Sequence, residues 1–248
     1  MPRKILILGG TKDAREIANA LVEIGHQVTT SLAGVTSNPL HPDGQVRVGG
    51  FGGAEGLLRY LAQETFELII DATHPYAARI SGNLNRVLEK HPIRHLRLQR
   101  PQWQTVTGDD WLEVSDCLAG AEILPPGARV LVTIGRKEIA PYIARADVSG
   151  FVRCIEPPDV PLKSNWTLIL ERPQNNANVE ADILRTHSIT HLVTKNAGGL
   201  STYGKIEAAR QMRIPVIMIA RPVKTGGEVF DSAEQLIKAV GRSPGLAT

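Results

Sequence analysis

The chain has 248 residues, 42% hydrophobic and 21% charged, with a formal net charge of +3. That length accommodates two small domains, and the apolar fraction fills a sizeable core without staples. The weak positive charge and only four Phe, four Tyr and three Trp exclude the basic stripe and stacking platform of a nucleic-acid binder, yet suit an anionic small-molecule substrate.

Residues 4–8 form a continuous apolar run that predicts a strand and ends in Gly9-Gly10-Thr11. A helix follows, with Ala14, Ile17, Ala18, Leu21 and Val22 on one face and Gly25 as its stop. Strands are predicted over 27–31 and 46–48, a helix over 56–63, a buried strand over 68–71, a helix over 76–90 and a strand over 95–99. The grammar then repeats. Strands are expected over 129–134, 151–155, 167–170, 190–194 and 216–219, with helices over 137–145, 179–187, 202–212 and 232–240. The tail from Arg242 to Thr248 reads as frayed. Short β-branched runs alternating with amphipathic helices predict an α/β protein of two Rossmann-like halves with mostly parallel sheets. Pro125-Pro126-Gly127 cannot continue a helix or sit in a central strand, so the halves are expected to be 1–126 and 127–248. No stretch approaches the ~20 apolar residues of a membrane span. The run after Met1 is too short for a signal peptide, so a cytoplasmic location is expected.

Ligands of open parallel sheets bind beyond the carboxyl ends of the strands. Five polar clusters follow predicted strands directly: Gly9-Gly10-Thr11, Thr30-Ser31, the Asp71–Tyr76 run, Gly135-Arg136-Lys137 and the Lys195–Gly199 run. A cofactor cleft between the two halves is therefore expected. The first turn departs from the G-x-G-x-x-G fingerprint, with Thr11 at the second glycine and Ala14 at the third. Gly9 and Gly10 let the backbone approach a pyrophosphate, Thr11 offers a hydroxyl, and the helix N-terminus offers free N–H groups. An ordinary tight turn is the other reading. The second strand ends in Thr30-Ser31 with no carboxylate to hold a ribose diol. Room is left for a 2′-phosphate, with Lys12 and Arg15 as candidate counter-charges, so NADPH is the expected cofactor.

The run Asp71-Ala72-Thr73-His74-Pro75-Tyr76-Ala77 resembles the hallmark of the precorrin-6A and cobalt-precorrin-6A reductases of cobalamin biosynthesis. Four further stretches agree in order: Leu8 through Thr11, Arg97 through Trp103, the turn at 133–137, and Thr194 through Gly199. The resemblance spans nearly the whole chain. It implies two packed Rossmann-like domains, NADPH as hydride donor, and reduction of a double bond in a contracted, anionic tetrapyrrole, precorrin-6A to precorrin-6B.

Hydride transfer asks mainly for placement, plus a proton source. His74 is one candidate donor, or else a residue that orients its loop or contacts the cofactor. Thr73 is a cofactor candidate beside it, and Tyr76 either stacks on a ligand or packs. Asp71 reads as a cap or an anchor for loop amides. Lys195 is the second catalytic candidate and, with Asn196, a cofactor candidate in the other half. Arg100, Arg136, Lys137 and Arg221 are candidates for substrate carboxylates, each also readable as a solvated charge. Cys117 and Cys154 fit no metal or disulfide spacing, and the seven histidines form no ligand pair, so no metal is expected. Nor does any Gly-x-Ser-x-Gly run argue for a hydrolase. A nucleotide-sensing regulatory protein without catalysis, or another NADP-dependent reductase, shares the same first turn. Gly9→Val is expected to abolish cofactor binding in a chain that still folds.

Overall fold

The computed structural model describes residues 1–34 and 40–241; the tail at 242–248 lies outside them. In chain order the elements are β1 (Lys4–Leu8), α1 (Lys12–Glu23), β2 (Gln27–Leu32), β3 (Gln45–Val48), α2 (Ala54–Glu64), β4 (Leu68–Asp71), α3 (Ala78–Leu88) and β5 (Arg94–Leu98). They continue with β6 (Trp111–Val114), α4 (Cys117–Glu122), β7 (Arg129–Val132), α5 (Ala140–Ala144), β8 (Ser149–Cys154), β9 (Trp166–Leu170), α6 (Ala177–Thr186) and β10 (His191–Lys195). A 3₁₀ turn (Leu200–Thr202) precedes α7 (Gly204–Gln211), β11 (Val216–Ile219), β12 (Glu228–Phe230) and α8 (Ala233–Gly241). None of the described helices is long and apolar enough to cross a membrane.

The chain forms two compact units, Met1–Pro101 with Pro222–Thr248, and Gln102–Arg221. The first carries a parallel sheet in the order β12-β5-β4-β1-β2-β3. This is the doubly wound arrangement, with its switch point between β1 and β4. Alternation along the strands divides the core. Ile5, Ile7, Leu68, Ile70 and Leu96 pack with Ile17 and Leu21 of α1 and Leu236 and Val240 of α8. Leu6, Leu8 and Ile69 pack with Leu57 and Leu61 of α2 and Leu84 and Val87 of α3. Each such side chain contributes roughly 1.5–3 kcal/mol on burial, which fixes the register, since a one-residue slip would exchange the two faces.

The second unit repeats the order with a parallel sheet β6-β11-β10-β7-β8-β9. One face of its core joins Leu131, Leu192, Val216 and Met218 to Ala181 and Leu184 of α6 and Ile206 and Ala209 of α7.

Four results differ from the sequence reading. The units divide at Pro101/Gln102 and Arg221/Pro222, not after residue 126. Pro125-Pro126-Gly127 is a tight turn between α4 and β7, with Gly127 at φ 78°. Each sheet also takes an outer strand that periodicity missed. β6 and β12 are short edges whose side chains are mostly exposed, so neither carries a buried apolar run. The short α4 escaped the pattern too, although Asp116 caps Leu118 and Ala119 in the usual way. Finally, the helix expected over 202–212 begins only at Gly204, after the 3₁₀ turn.

Candidate functional site

The turn after β1 lies at the carboxyl edge of the first sheet. Thr11 is the N-cap of α1: its Oγ1 accepts from the Ala14 amide at 3.0 Å and donates to the Ala72 carbonyl at 2.9 Å. The hydroxyl proton expected to face a phosphate thus ties the turn to the end of β4. Ala14 is buried, as close helix–sheet packing requires. Gly10 adopts φ 101° with open space around a built Cβ, whereas a Cβ on Gly9 would meet Thr30 Cγ2 at 2.8 Å. The two glycines differ in role: Gly10 supplies the left-handed turn and Gly9 the close approach to β2. Gly9→Val should therefore also lower stability by ~1–3 kcal/mol through overpacking. Gly10→Ala, strained in φ but free of clash, is the cleaner probe of cofactor binding. Thermal melts and NADPH titrations of both variants check this.

Asp13, in the first turn of α1, is paired with Arg100 at 3.2 Å. Arg100 therefore sits beside the glycine turn and offsets a carboxylate that would oppose an anion there. Lys12 is exposed and pairs with Glu16 at 3.4 Å, and Arg15 is half-buried on the same helix. Thr30 and Ser31 are buried at the end of β2. Thr30 Oγ1 has no hydrogen-bond partner among the described residues. Ser31 Oγ accepts from Arg47 Nη1 at 3.2 Å. Arg47 was missed in the sequence. It lies on β3, donates to the Gly50 carbonyl at 2.9 Å, and stacks 3.9 Å from the Phe51 ring centroid. Its only signal was a cation inside a short strand.

Asp71 ends β4 with 0% exposure. It accepts from the Thr73 amide at 3.1 Å, from Thr73 Oγ1 at 2.6 Å and from Ser81 Oγ on α3. Lys224 Nζ lies 3.8 Å from it and donates to Thr73 Oγ1 at 2.8 Å. The anchoring role read for Asp71 is thus its geometry, while Thr73 is a link between Asp71 and Lys224. Lys224 was not legible in the sequence, where Lys224-Thr225-Gly226-Gly227 marks only a loop. His74 is exposed and its Nδ1 accepts from the Tyr76 amide at 3.3 Å, so the neutral ring carries its proton on Nε2. The His74 and Tyr76 rings stand 5.6 Å apart.

In the second unit, Lys195 ends β10 and is ion-paired with Glu138. The Asn196 side chain clamps the Trp103 backbone: Oδ1 accepts from its amide at 2.9 Å and Nδ2 donates to its carbonyl at 3.1 Å. Arg221 donates to the Asn196 carbonyl through Nε at 3.2 Å and Nη2 at 3.1 Å. Asn196 and Arg221, read as ligand contacts, are therefore joined in holding one loop. Arg136 pairs with Asp159 at 3.0 Å and with the Pro157 carbonyl, and Lys137 is exposed. Beneath the same loop, Lys205 is 5% exposed, 5.3 Å from the Trp103 ring centroid, and donates to the Thr202 carbonyl at 2.9 Å. Burial first, and Arg153 second, pull its pKa down to about 7 against the opposing effect of Glu180.

The model of the precorrin-6x reductase family, CbiJ/CobK, matches residues 4–241. The chain belongs to that family. Among its relatives, the precorrin-6A reductase of Rhodococcus erythropolis is 40% identical over 241 residues, 96% of this chain and 97% of that protein. The cobalt-precorrin-6A reductase of Salmonella typhimurium is 28% identical over 252 residues, 96% and 95% of the two chains. The solved structure of CobK precorrin-6A reductase aligns with a TM-score of 0.90 at 33% identity, covering 97% of this chain and 96% of that one. Both six-stranded sheets thus belong to the family fold, and the polar clusters described above lie at their carboxyl edges.

Proposed function

We propose that this chain is an NADPH-dependent precorrin-6A reductase that reduces a ring double bond to give precorrin-6B. Family membership over residues 4–241 carries this reading. The higher identity to the precorrin-6A relative than to the cobalt-precorrin-6A relative, 40% against 28%, favours the cobalt-free substrate.

The first unit suits the dinucleotide. The open φ 101° turn at Gly10 leaves backbone free to approach a phosphate, and α1 presents its first amides there. Thr30 offers a buried hydroxyl without a partner among the described residues. β2 ends in Thr30-Ser31-Leu32, so no carboxylate opposes a 2′-phosphate. Bound there, NADPH supplies a hydride. The residues supply position and charge: Arg100 offsets Asp13 beside the phosphate turn, and His74, once protonated to the imidazolium, is the candidate proton donor. Lys195 is the second unit's candidate for an anionic group of the substrate. The deciding experiment is turnover of NADPH by purified protein with precorrin-6A, followed at the nicotinamide absorbance. NADPH binding without consumption would mean a sensor rather than a reductase. NADPH should bind more tightly than NADH; equal affinity would remove the argument from β2.

Lys195→Ala should lower kcat/KM ten- to a hundredfold, since a charged hydrogen bond is worth ~1.5–3 kcal/mol. A raised corrinoid KM at constant NADPH affinity assigns it to the substrate, and weakened NADPH binding to the cofactor. Lost kcat with a lost limb of the pH profile assigns it to the proton. Unchanged kinetics would leave its ion pair with Glu138 a matter of structure.

A further inference from the structure

Ser31 on β2 stands in register with Arg47 on β3, so both side chains leave the sheet on one face. Each is one residue short of the carboxyl end of its strand, the edge at which open parallel sheets bind their ligands. Arg47 is firmly held there. Its Nη1 donates to Ser31 Oγ at 3.2 Å and to the Gly49 carbonyl, and its Nη2 donates to the Gly50 carbonyl at 2.9 Å. The guanidinium carbon stands 3.9 Å from the ring centroid of Phe51 and 5.2 Å from that of Tyr60. A long side chain is thereby ordered by folding, so a ligand that meets it does not have to immobilise it.

Every one of these partners is neutral: two carbonyls, a hydroxyl and two rings. A guanidinium has five N–H donors. The one on Nε and the second on Nη2 take no acceptor among the described residues. The approach to them is open, because Arg47 is half-buried rather than enclosed. Nor does any atom stand within 4 Å of a Cβ built on Gly49 or Gly50. Ser31, whose oxygen accepts from Arg47, keeps its own O–H to donate.

We propose that Arg47 is the residue that distinguishes NADPH from NADH, by pairing with the 2′-phosphate on the adenosine ribose. The inference rests on the cofactor reading above and moves the counter-charge from α1 to β3. Lys12 is exposed and paired with Glu16, so it offers a mobile point charge where Arg47 offers a fixed, planar set of donors. A phosphate monoester is close to a dianion at pH 7. It is also the only group by which the two cofactors differ. A guanidinium bonds an anion far more strongly than the neutral ribose hydroxyl that NADH presents in its place.

The test uses the full chain as parent, Arg47→Met and Arg47→Lys. Dissociation constants for NADPH, NADH, 2′,5′-ADP and 5′-AMP are measured by calorimetry. Arg47→Met should weaken NADPH and 2′,5′-ADP ten- to a hundredfold and leave NADH and 5′-AMP unchanged. Arg47→Lys, which keeps the charge without the planar donors, should fall between parent and Arg47→Met. An equal loss for NADPH and NADH would make Arg47 a support for the turn after β3 and overturn the proposal. So would unchanged affinity for all four probes, which would place the 2′-phosphate elsewhere. Should Arg47→Met fail to fold, the NADPH-to-NADH ratio of Arg47→Lys decides by the same rule. A parent that binds neither NADPH nor 2′,5′-ADP would overturn the cofactor reading and this inference with it, a result seen before any variant is made.

Discussion

Asp71→Ala should destabilise the protein by ~3–5 kcal/mol, the range for removing one partner of a buried ion pair. The side chain is fully buried and joins four groups: the Thr73 amide, the Thr73 and Ser81 hydroxyls, and the Lys224 ammonium. Alanine removes the acceptor that these four groups share and the carboxylate nearest the Lys224 ammonium. For a chain of this size each kcal/mol moves the melting temperature by ~2–4 °C, so a fall of about 10 °C is expected. Asp71→Asn keeps two acceptor positions and should lose less of the hydrogen bonding, though it still removes the negative charge. Calorimetry of the two variants checks the ordering. An alanine variant as stable as the parent would mean that the loop from Thr73 to Ala77 is held by other contacts.

Lys205→Met should stabilise the protein below pH 7 by a few kcal/mol, and the gain should shrink as pH rises. The parent's folded state holds the Lys205 pKa at about 7, against 10.5 for an ordinary lysine. Between those values the unfolded chain binds a proton that the folded chain does not, so stability rises with pH across that window. Below about 7 both states are protonated and the folded protein carries the full cost of a buried ammonium. Arg153 and Glu180 already form a buried pair at 2.9 Å, which leaves Lys205 without a carboxylate of its own. Methionine fills a similar volume without the charge, at the loss of one hydrogen bond to the Thr202 carbonyl. Denaturant titrations of parent and variant from pH 6 to pH 10 should therefore converge. A difference independent of pH would show that Lys205 titrates as an exposed lysine does.

Both predictions turn on groups that periodicity ranks poorly. Lys205 reads as one more polar residue of a helix of low apolar content, and nothing in the sequence marks it as buried. Lys224 stands in a loop. Arg97 is the second arginine of a strand that reads Arg-His-Leu-Arg-Leu, a pattern usually given to a solvated edge. Each is significant only because residues distant in the chain surround it. By contrast, Gly9-Gly10-Thr11 and Asp71 through Tyr76 were legible, since a sharp stop after a buried strand has few physical causes. Even there the bonding of Thr11 was not. A hydroxyl's partner depends on which strand lies next to its own, and here β4 adjoins β1 and places the Ala72 carbonyl within reach.

The sequence by itself determined the alternation of strand and helix, the parallel sheets and the family, because these follow from local periodicity and from motifs of consecutive residues. It also located the polar turns at strand ends. Only the tertiary structure decided which strands close each sheet, where the chain leaves and re-enters the first unit, and which charges are buried together. β12 joins β5 across 129 residues of intervening chain, and no local preference of three edge residues, two of them exposed, encodes that pairing. The free energy that selects it comes from the packing of Leu236 and Val240 of the following helix against β1, β4 and β5, a long-range apolar contact that exists only once the sheet has formed.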